Sequence, residues 1–226
     1  MTNTIRLLSL YPVQLDLNGD LGNVLVLKRA LENAGHSVVS ERHELGSKLT
    51  EDKPDFVFLG HGSNAAWKQI GADLDSISET LGKWFHDGTV GLAVASGHEA
   101  CHTGESFNDV PRLGIFASEP ANLLEVPRVS KFELIAATDS FIGAPVLGYL
   151  NSATNASLLQ KMNNLIGTQL HGPVLAKNPK LVAWITNQIL LNSSQAKVRP
   201  ADLMGDNKVQ SILDAIWGLE TKLASE

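Results

Sequence analysis

The stretch Thr89-Val-Gly-Leu-Ala-Val-Ala-Ser-Gly-His-Glu-Ala-Cys-His102 joins a short apolar run, residues 90–95, to a turn of small residues and then to a segment with helical character from His98 onward. A strand that enters a helix through so tight a turn is where α/β enzymes present a nucleophile, because the first free N–H groups of the helix point at the developing oxyanion. The residue at the expected apex is Ala95, which carries no nucleophilic atom. The same stretch holds His98-Glu99-Ala100-Cys101-His102, a match to the H-E-x-x-H pattern in which two histidines on one helix face share a zinc ion. Two incompatible chemistries are thus written over one segment, and the rest of the chain has to separate them.

Upstream, Ile5-Arg-Leu-Leu-Ser-Leu10 has the compact apolar character of a buried strand. Leu21, Val24, Leu25, Leu27, Leu31 and Ala34 then recur at mostly helical spacing, with Lys28, Arg29, Glu32 and Asn33 largely opposite and Gly35 as the stop. Val38 and Val39 open a second strand, and Asp55-Phe-Val-Phe-Leu-Gly60 is a third. Leu74, Ile77, Leu81, Trp84 and Phe85 mark an amphipathic helix closed by Gly88, ahead of the 90–95 strand. This β-α-β-α-β alternation predicts an α/β fold, a three-layer sandwich with a mostly parallel central sheet flanked by helices. Functional groups in such sheets gather at the carboxyl ends of the strands. Gly60-His-Gly-Ser-Asn64 and Ala95-Ser-Gly-His98 both fall there.

Past Arg112 the pattern loosens. Residues 132–136 and 146–149 are expected as strands, and Leu165-Ile-Gly-Thr-Gln-Leu-His171 as one strand delivering His171 to its end. Residues 181–191 are expected as a helix and 193–200 as a polar connection. A last amphipathic helix carries Val209, Ile212, Leu213, Ile216, Leu219 and Leu223. The expected division is one domain over residues 1–192 and a helical extension, 193–226, packed on that domain or on a partner.

At 226 residues, 43% hydrophobic and 19% charged, the chain has the composition of an ordinary globular protein with one well-buried core. A net charge of −6 without a Lys/Arg cluster argues against a nucleic-acid surface. Arg6 and Pro12 interrupt the first apolar run too early for a secretory signal, and no run approaches the roughly 18 apolar residues of a membrane span. A single cysteine, Cys101, excludes an intramolecular disulfide and suits a reducing compartment, so the expected location is the cytoplasm. Without a secretory signal, Asn155-Ala-Ser and Asn192-Ser-Ser match the glycosylation pattern by chance. No cofactor is expected, since the glycine loop at 60–62 lacks the Lys-Ser/Thr of a nucleotide-binding P-loop.

Leu10-Tyr-Pro-Val-Gln-Leu-Asp-Leu-Asn-Gly-Asp-Leu-Gly-Asn23, with the helix that follows, resembles the opening of glutamine amidotransferases of the cobyric-acid-synthase type, in the branch of the glutaminase subunits of lipid II isoglutaminyl synthase. Leu165-Ile-Gly-Thr-Gln-Leu-His-Gly-Pro-Val-Leu-Ala-Lys-Asn-Pro179 resembles the segment that carries that family's catalytic histidine. Phe58-Leu-Gly-His-Gly-Ser-Asn64 stands at its glycine-rich loop, and Ala93-Val-Ala-Ser-Gly-His-Glu99 at its nucleophile motif. The resemblance covers roughly residues 5–190. It implies glutamine hydrolysis: a cysteine thiolate attacks the side-chain amide, a histidine moves protons, and backbone N–H groups hold the oxyanion. Carried over, the proton carrier is His171, the oxyanion donors are amides at Gly60, Gly62 and Ser96, and Arg128 holds the substrate's α-carboxylate. The implied partner is a Mur-ligase-like synthetase that uses the ammonia to amidate a peptidoglycan precursor.

Three departures stand against that activity. Ala95 occupies the nucleophile position, and losing such a nucleophile costs on the order of 10⁶ in kcat. His61 stands where the family prefers glycine, and the stretch between Tyr149 and Gly167 is shorter than in typical members. Two explanations of Ala95 remain open at the level of sequence: an inactive family member, or an authentic glutaminase with a substituted nucleophile.

Other residues offer weaker chemistry. Ser96 is one step past the apex, so its side chain is expected to point away from the substrate. Cys101 lies further along the helix and is expected to be a buried helix cysteine. A zinc hydrolase using His98 and His102, with Glu99 as base, needs a third ligand, for which Glu119 is the one candidate, and Glu105 stands where the extended zinc motif has glycine. Family members commonly carry His-Gln or Tyr-Gln at the positions of His98 and Glu99, so no metal is the expectation. His36, His43 and His86 are expected at the surface or at helix ends, and Asp16, Asp20 and Asn23 in turn and capping roles.

Overall fold

The computed structural model describes residues 4–104, 110–116, 125–154, 156–193, 214–215, 217–219 and 221–224. Strands β1 (Ile5–Leu10), β2 (Val38–His43), β3 (Phe56–Leu59) and β4 (Val90–Val94) alternate with helices α1 (Gly22–Asn33) and α2 (Asn64–His86). A short helix, α3 (Ser96–Ala100), follows β4. After β5 (Glu125–Ile135) and β6 (Val146–Thr154) come β7 (Leu159–Met162), β8 (Leu165–Thr168) and β9 (Leu170–His171), then α4 (Val174–Lys177) and α5 (Pro179–Asn192).

Six strands form the central sheet in the order β2-β1-β3-β4-β8-β7, parallel throughout except for β7, which runs antiparallel to β8 at the edge. Alternation along the strands builds the three layers. Leu7, Phe56, Phe58, Leu92 and Val94 face α1 and α5, whose Leu27, Leu31, Leu181, Ile185 and Ile189 complete one core. Leu8, Val57, Leu59 and Ala93 face the opposite side, where α2 contributes Trp67, Ile70, Leu74, Leu81 and Phe85. Helix α2 begins well before its strongest apolar stripe because Ser63 caps it, accepting from the Ala66 N–H at 3.2 Å. A second sheet, β5-β6-β9, is antiparallel and sits beside the carboxyl ends of the parallel strands.

Two expectations are corrected. Residues 165–171 are not one strand: β8 belongs to the central sheet and β9 to the second. The chain changes sheets at Gln169, which is buried, while the Thr168 hydroxyl takes the Leu170 N–H at 3.1 Å and kinks the backbone. The helix expected from His98 through His102 ends at Ala100. Segment 112–116 takes the carbonyls that would have continued it: Arg112 Nη1 bonds the Glu99 carbonyl, and the N–H groups of Leu113, Gly114 and Phe116 bond those of Ala100, His102 and Cys101.

The expected C-terminal helix lies partly outside the described residues, including Val209, Ile212, Leu213 and Ile216. The described parts of 214–224 are helical, with Leu219 and Leu223 exposed. Among the described residues no helix is long and apolar enough to cross a membrane.

Candidate active site

The sharp turn expected after β4 is present in full. Ala95 has φ +49° and ψ −118°, a conformation that costs a residue with a side chain about 1–3 kcal/mol and that collects at functional turns. Its N–H is held by the Thr168 carbonyl at 2.7 Å, so β8 fixes the apex from the neighbouring strand. Gly97 lets α3 start against β3: a Cβ there would lie 2.6 Å from the Leu59 carbonyl oxygen and 2.5 Å from that of Gly60. Ala95 is buried and lines a cleft of about 360 Å³ with His61, Gly62, Ser96, Glu99, Arg128 and His171. The turn is built, and the residue at its apex is alanine.

The loop between β3 and α2 meets the elbow through His61. Its Nδ1 lies 2.7 Å from the Ser96 hydroxyl and accepts the Ser96 backbone N–H at 3.3 Å. The same hydroxyl accepts from Trp67 Nε1 at 2.8 Å and from the Gly62 N–H at 3.1 Å. Ser96 therefore points into a packed polar knot and not at a substrate. Burial, reinforced by Arg128, pushes His61 down to about 4, so its ring is neutral and its Nδ1 free to accept. Gly60 does not line the cleft; it lies under the 11–20 loop, where a Cβ would overlap the Leu15 carbonyl oxygen.

His171 arrives from the second sheet, at the end of β9, with its Nδ1 2.9 Å from Asn18 Nδ2 and its ring edge-on to His61 at 4.6 Å between centroids. Burial above all, with His61 and Arg128 adding to it, lowers His171 to about 4. Arg128, on β5, bonds the Asn151 carbonyl and side chain across the antiparallel pair and lines the same cleft. Asp20 and Asn23, expected in turn and capping roles, both hold the site together. Asp20 accepts from the N–H groups of Gly172 at 3.0 Å, Asn18 at 3.3 Å and His61 at 3.4 Å, joining three cleft segments. Asn23 bonds the Gly172 carbonyl and the Leu175 N–H. The polar D-x-x-N spacing at the start of an apolar helix is the available signal. Asn18, Asn151 and Gln169, which also line the cleft, carry none in the sequence.

No family model matches the chain. The subunit GatD of lipid II isoglutaminyl synthase (glutamine-hydrolyzing) from Staphylococcus aureus (strain N315) is 24% identical over 192 residues, covering 76% of this chain and 79% of that protein. GatD from Streptococcus pneumoniae (strain ATCC BAA-255 / R6) is 21% identical over 200 residues, covering 78% and 77%. The chain is a homologue of GatD. Among solved structures, a glutamine amidotransferase from Thermotoga maritima aligns with a TM-score of 0.44 at 12% identity, over 98% of this chain and 99% of that one. A ThiJ/PfpI family protein from Pseudomonas syringae aligns with a TM-score of 0.40 at 11% identity, over 100% and 88%.

In this GatD homologue the second chemistry written over residues 98–102 takes a different form. His98 and His102 do face each other, Nε2 to Nε2 at 3.2 Å, but the group that closes on them is the Gln160 carboxamide, at 2.6 and 2.9 Å. Glu99 lines the cleft. Among the described residues no three His, Cys, Asp or Glu side chains form a metal-holding group, and Glu119 and Glu105 lie outside those residues. Burial pushes His98 well down and His102 to about 4. Cys101 is buried with its thiol 3.3 Å from the Gly97 carbonyl and pushed up to about 12 by burial. It is expected to resist alkylation by iodoacetamide at pH 8 in the native protein and to react fully in urea; equal rates in both would show an open thiol.

Proposed function

We propose that the chain is a GatD-like amidotransferase subunit whose cleft is shaped around glutamine but does not hydrolyse it. The observation that carries this is Ala95, held at φ +49° at the end of β4 in the place of a nucleophile, with His171 lining the same cleft. A bare methyl offers no lone pair. The nearby alternatives are unavailable, since the Ser96 hydroxyl is bound on several sides and the Cys101 thiol is buried and protonated. Arg128 fits the role of α-carboxylate holder at the cleft wall, and His171 keeps the place of the proton carrier. By kinship with GatD, a subunit of a glutamine-hydrolysing synthase, the partner is a Mur-ligase-like synthetase and the setting is peptidoglycan precursor amidation in the cytoplasm.

The test is glutaminase turnover and partner binding measured side by side. The unmodified chain, alone or with a co-expressed Mur-ligase-like synthetase, is expected to release no ammonia from glutamine above buffer, while co-purifying with that synthetase. Ala95→Cys is expected to be the substitution on which any turnover depends. Ammonia release from glutamine by the unmodified chain above buffer would sink the proposal.

A further inference from the structure

We infer that His61 is a second, independent lock on this centre: its imidazole fills the oxyanion hole, so restoring a cysteine at Ala95 does not by itself restore hydrolysis. The inference rests on the cleft being a glutaminase-type centre, as proposed above.

An acyl-transfer elbow stabilises its tetrahedral intermediate with the N–H that follows the nucleophile, joined by a second N–H from a neighbouring loop. Here the N–H after the apex is that of Ser96, and it already donates to His61 Nδ1 at 3.3 Å. The loop's own amides are engaged as well: Gly62 N–H donates to the Ser96 hydroxyl at 3.1 Å and His61 N–H to the Asp20 carboxylate at 3.4 Å. A substrate oxygen needs donors at roughly 2.7–3.1 Å. It cannot share the Ser96 N–H with a ring nitrogen lying in the same place.

The imidazole is held there on two sides, by Ser96 and by His171. The Ser96 hydroxyl donates to Nδ1 at 2.7 Å while accepting from Trp67 Nε1 at 2.8 Å. His171 closes the far face edge-on, and the backbone below is tied to Asp20. Because Nδ1 is the shared acceptor, the ring must be neutral, and its buried position keeps it so at ordinary pH. Glycine at this position would open the hole without disturbing the elbow, since the Ser96 hydroxyl has a second acceptor in the Gly62 carbonyl at 3.3 Å.

The loss of one oxyanion donor typically lowers kcat by about 10²–10³. Glutamine hydrolysis by Ala95→Cys is therefore expected to stay at least about 100-fold below that of Ala95→Cys/His61→Gly. Binding of L-glutamine measured by calorimetry on the Ala95 background is expected to tighten about tenfold in His61→Gly, because the amide oxygen gains the Ser96 N–H that the imidazole now occupies. Thermal melts check that each variant folds. Measurable turnover that is equal in the single and double cysteine variants would overturn the lock. If neither cysteine variant hydrolyses glutamine but His61→Gly still binds it more tightly, the lock stands and the glutaminase reading of the cleft fails. If neither hydrolyses and His61→Gly binds glutamine no better than the unmodified chain, the lock is wrong.

Discussion

Between pH 6.5 and pH 4 the folded chain is expected to lose most of its stability, because four imidazoles, His98 and His102 buried and His61 and His171 half-buried, stay neutral until the acid end of that range. His61, His171 and His102 are each pushed down to about 4, and His98 lower still, with burial the leading cause in every case. An unfolded histidine takes up its proton near pH 6.5, so below that value the unfolded chain binds protons that the folded chain refuses. Stability is therefore complete above pH 6.5 and falls as the pH drops, and the loss stops growing once the folded groups also protonate. At pH 5 each of the three contributes a loss of about 2 kcal/mol, or roughly 6 kcal/mol together. That is comparable with the entire stability of many domains. Asp20 works in the opposite sense, since burial raises its carboxyl, but it is one group against four. Urea midpoints at pH 7.5 and pH 5.0 measure the effect. His102→Gln should flatten the profile by one group's share, and a midpoint unchanged between the two pH values would show that these imidazoles are not buried as described.

The same four histidines mark the limit of what the chain shows before it folds. The parallel sheet was legible because each unit has a strong local signature: a short apolar strand, a helix with an apolar stripe, and a glycine at the join. Its layers followed from the alternation of Leu7 with Leu8 and of Phe56 with Val57 onto opposite cores. The antiparallel pair was only half legible. β5 and β6 reach well beyond the apolar residues 132–136 and 146–149 because the exposed Val129, Ser130 and Lys131 pair with Ser152, Asn151 and Leu150. Such polar strand ends have little intrinsic preference and depend on their neighbour. β7, Leu-Gln-Lys-Met, is a short half-buried edge strand with no alternation to detect. The early stop of α3 is set by carbonyl partners in residues 112–116, which no window around His98 contains.

At the site, position was readable and orientation was not. Ala95, His171 and Arg128 share the cleft the sequence assigned them. That His61 turns its ring onto the Ser96 N–H depends on Asp20, Trp67 and His171, which lie 41, 6 and 110 residues away along the chain. The strained apex at Ala95 adds a physical point. A turn that costs about 1–3 kcal/mol has at its apex Ala95, which carries no nucleophilic atom. The Thr168 carbonyl, Gly97 and the Ser96 knot over-determine that backbone, so the elbow is a structural joint between β4, β3 and β8 as much as a catalytic device.

Asp20→Ala is expected to be the most damaging single polar substitution near the cleft, at about 3–5 kcal/mol of unfolding free energy. The carboxylate is fully buried and accepts three backbone N–H groups from three different segments, those of Gly172, Asn18 and His61. Alanine would leave all three without an acceptor inside the protein, and a buried unpaired donor costs about 1–3 kcal/mol. The Gly172 bond at 3.0 Å should carry the largest part, the two longer ones less. Asp20→Asn separates charge from geometry. Its carbonyl oxygen can keep one N–H, but its NH₂ then faces the remaining donors, so it should fall between the parent and alanine. The consequence for the site is specific. Asp20 ties the β3–α2 loop to the turn after β9, and releasing it should let His61 and His171 move apart. In NMR titrations both imidazoles of Asp20→Asn are expected to shift toward the ordinary histidine range as water enters, while His102, on the far side of α3, stays low. A loss under about 1 kcal/mol for Asp20→Ala, with both imidazoles unmoved, would mean that the cleft is held by the apolar cores alone.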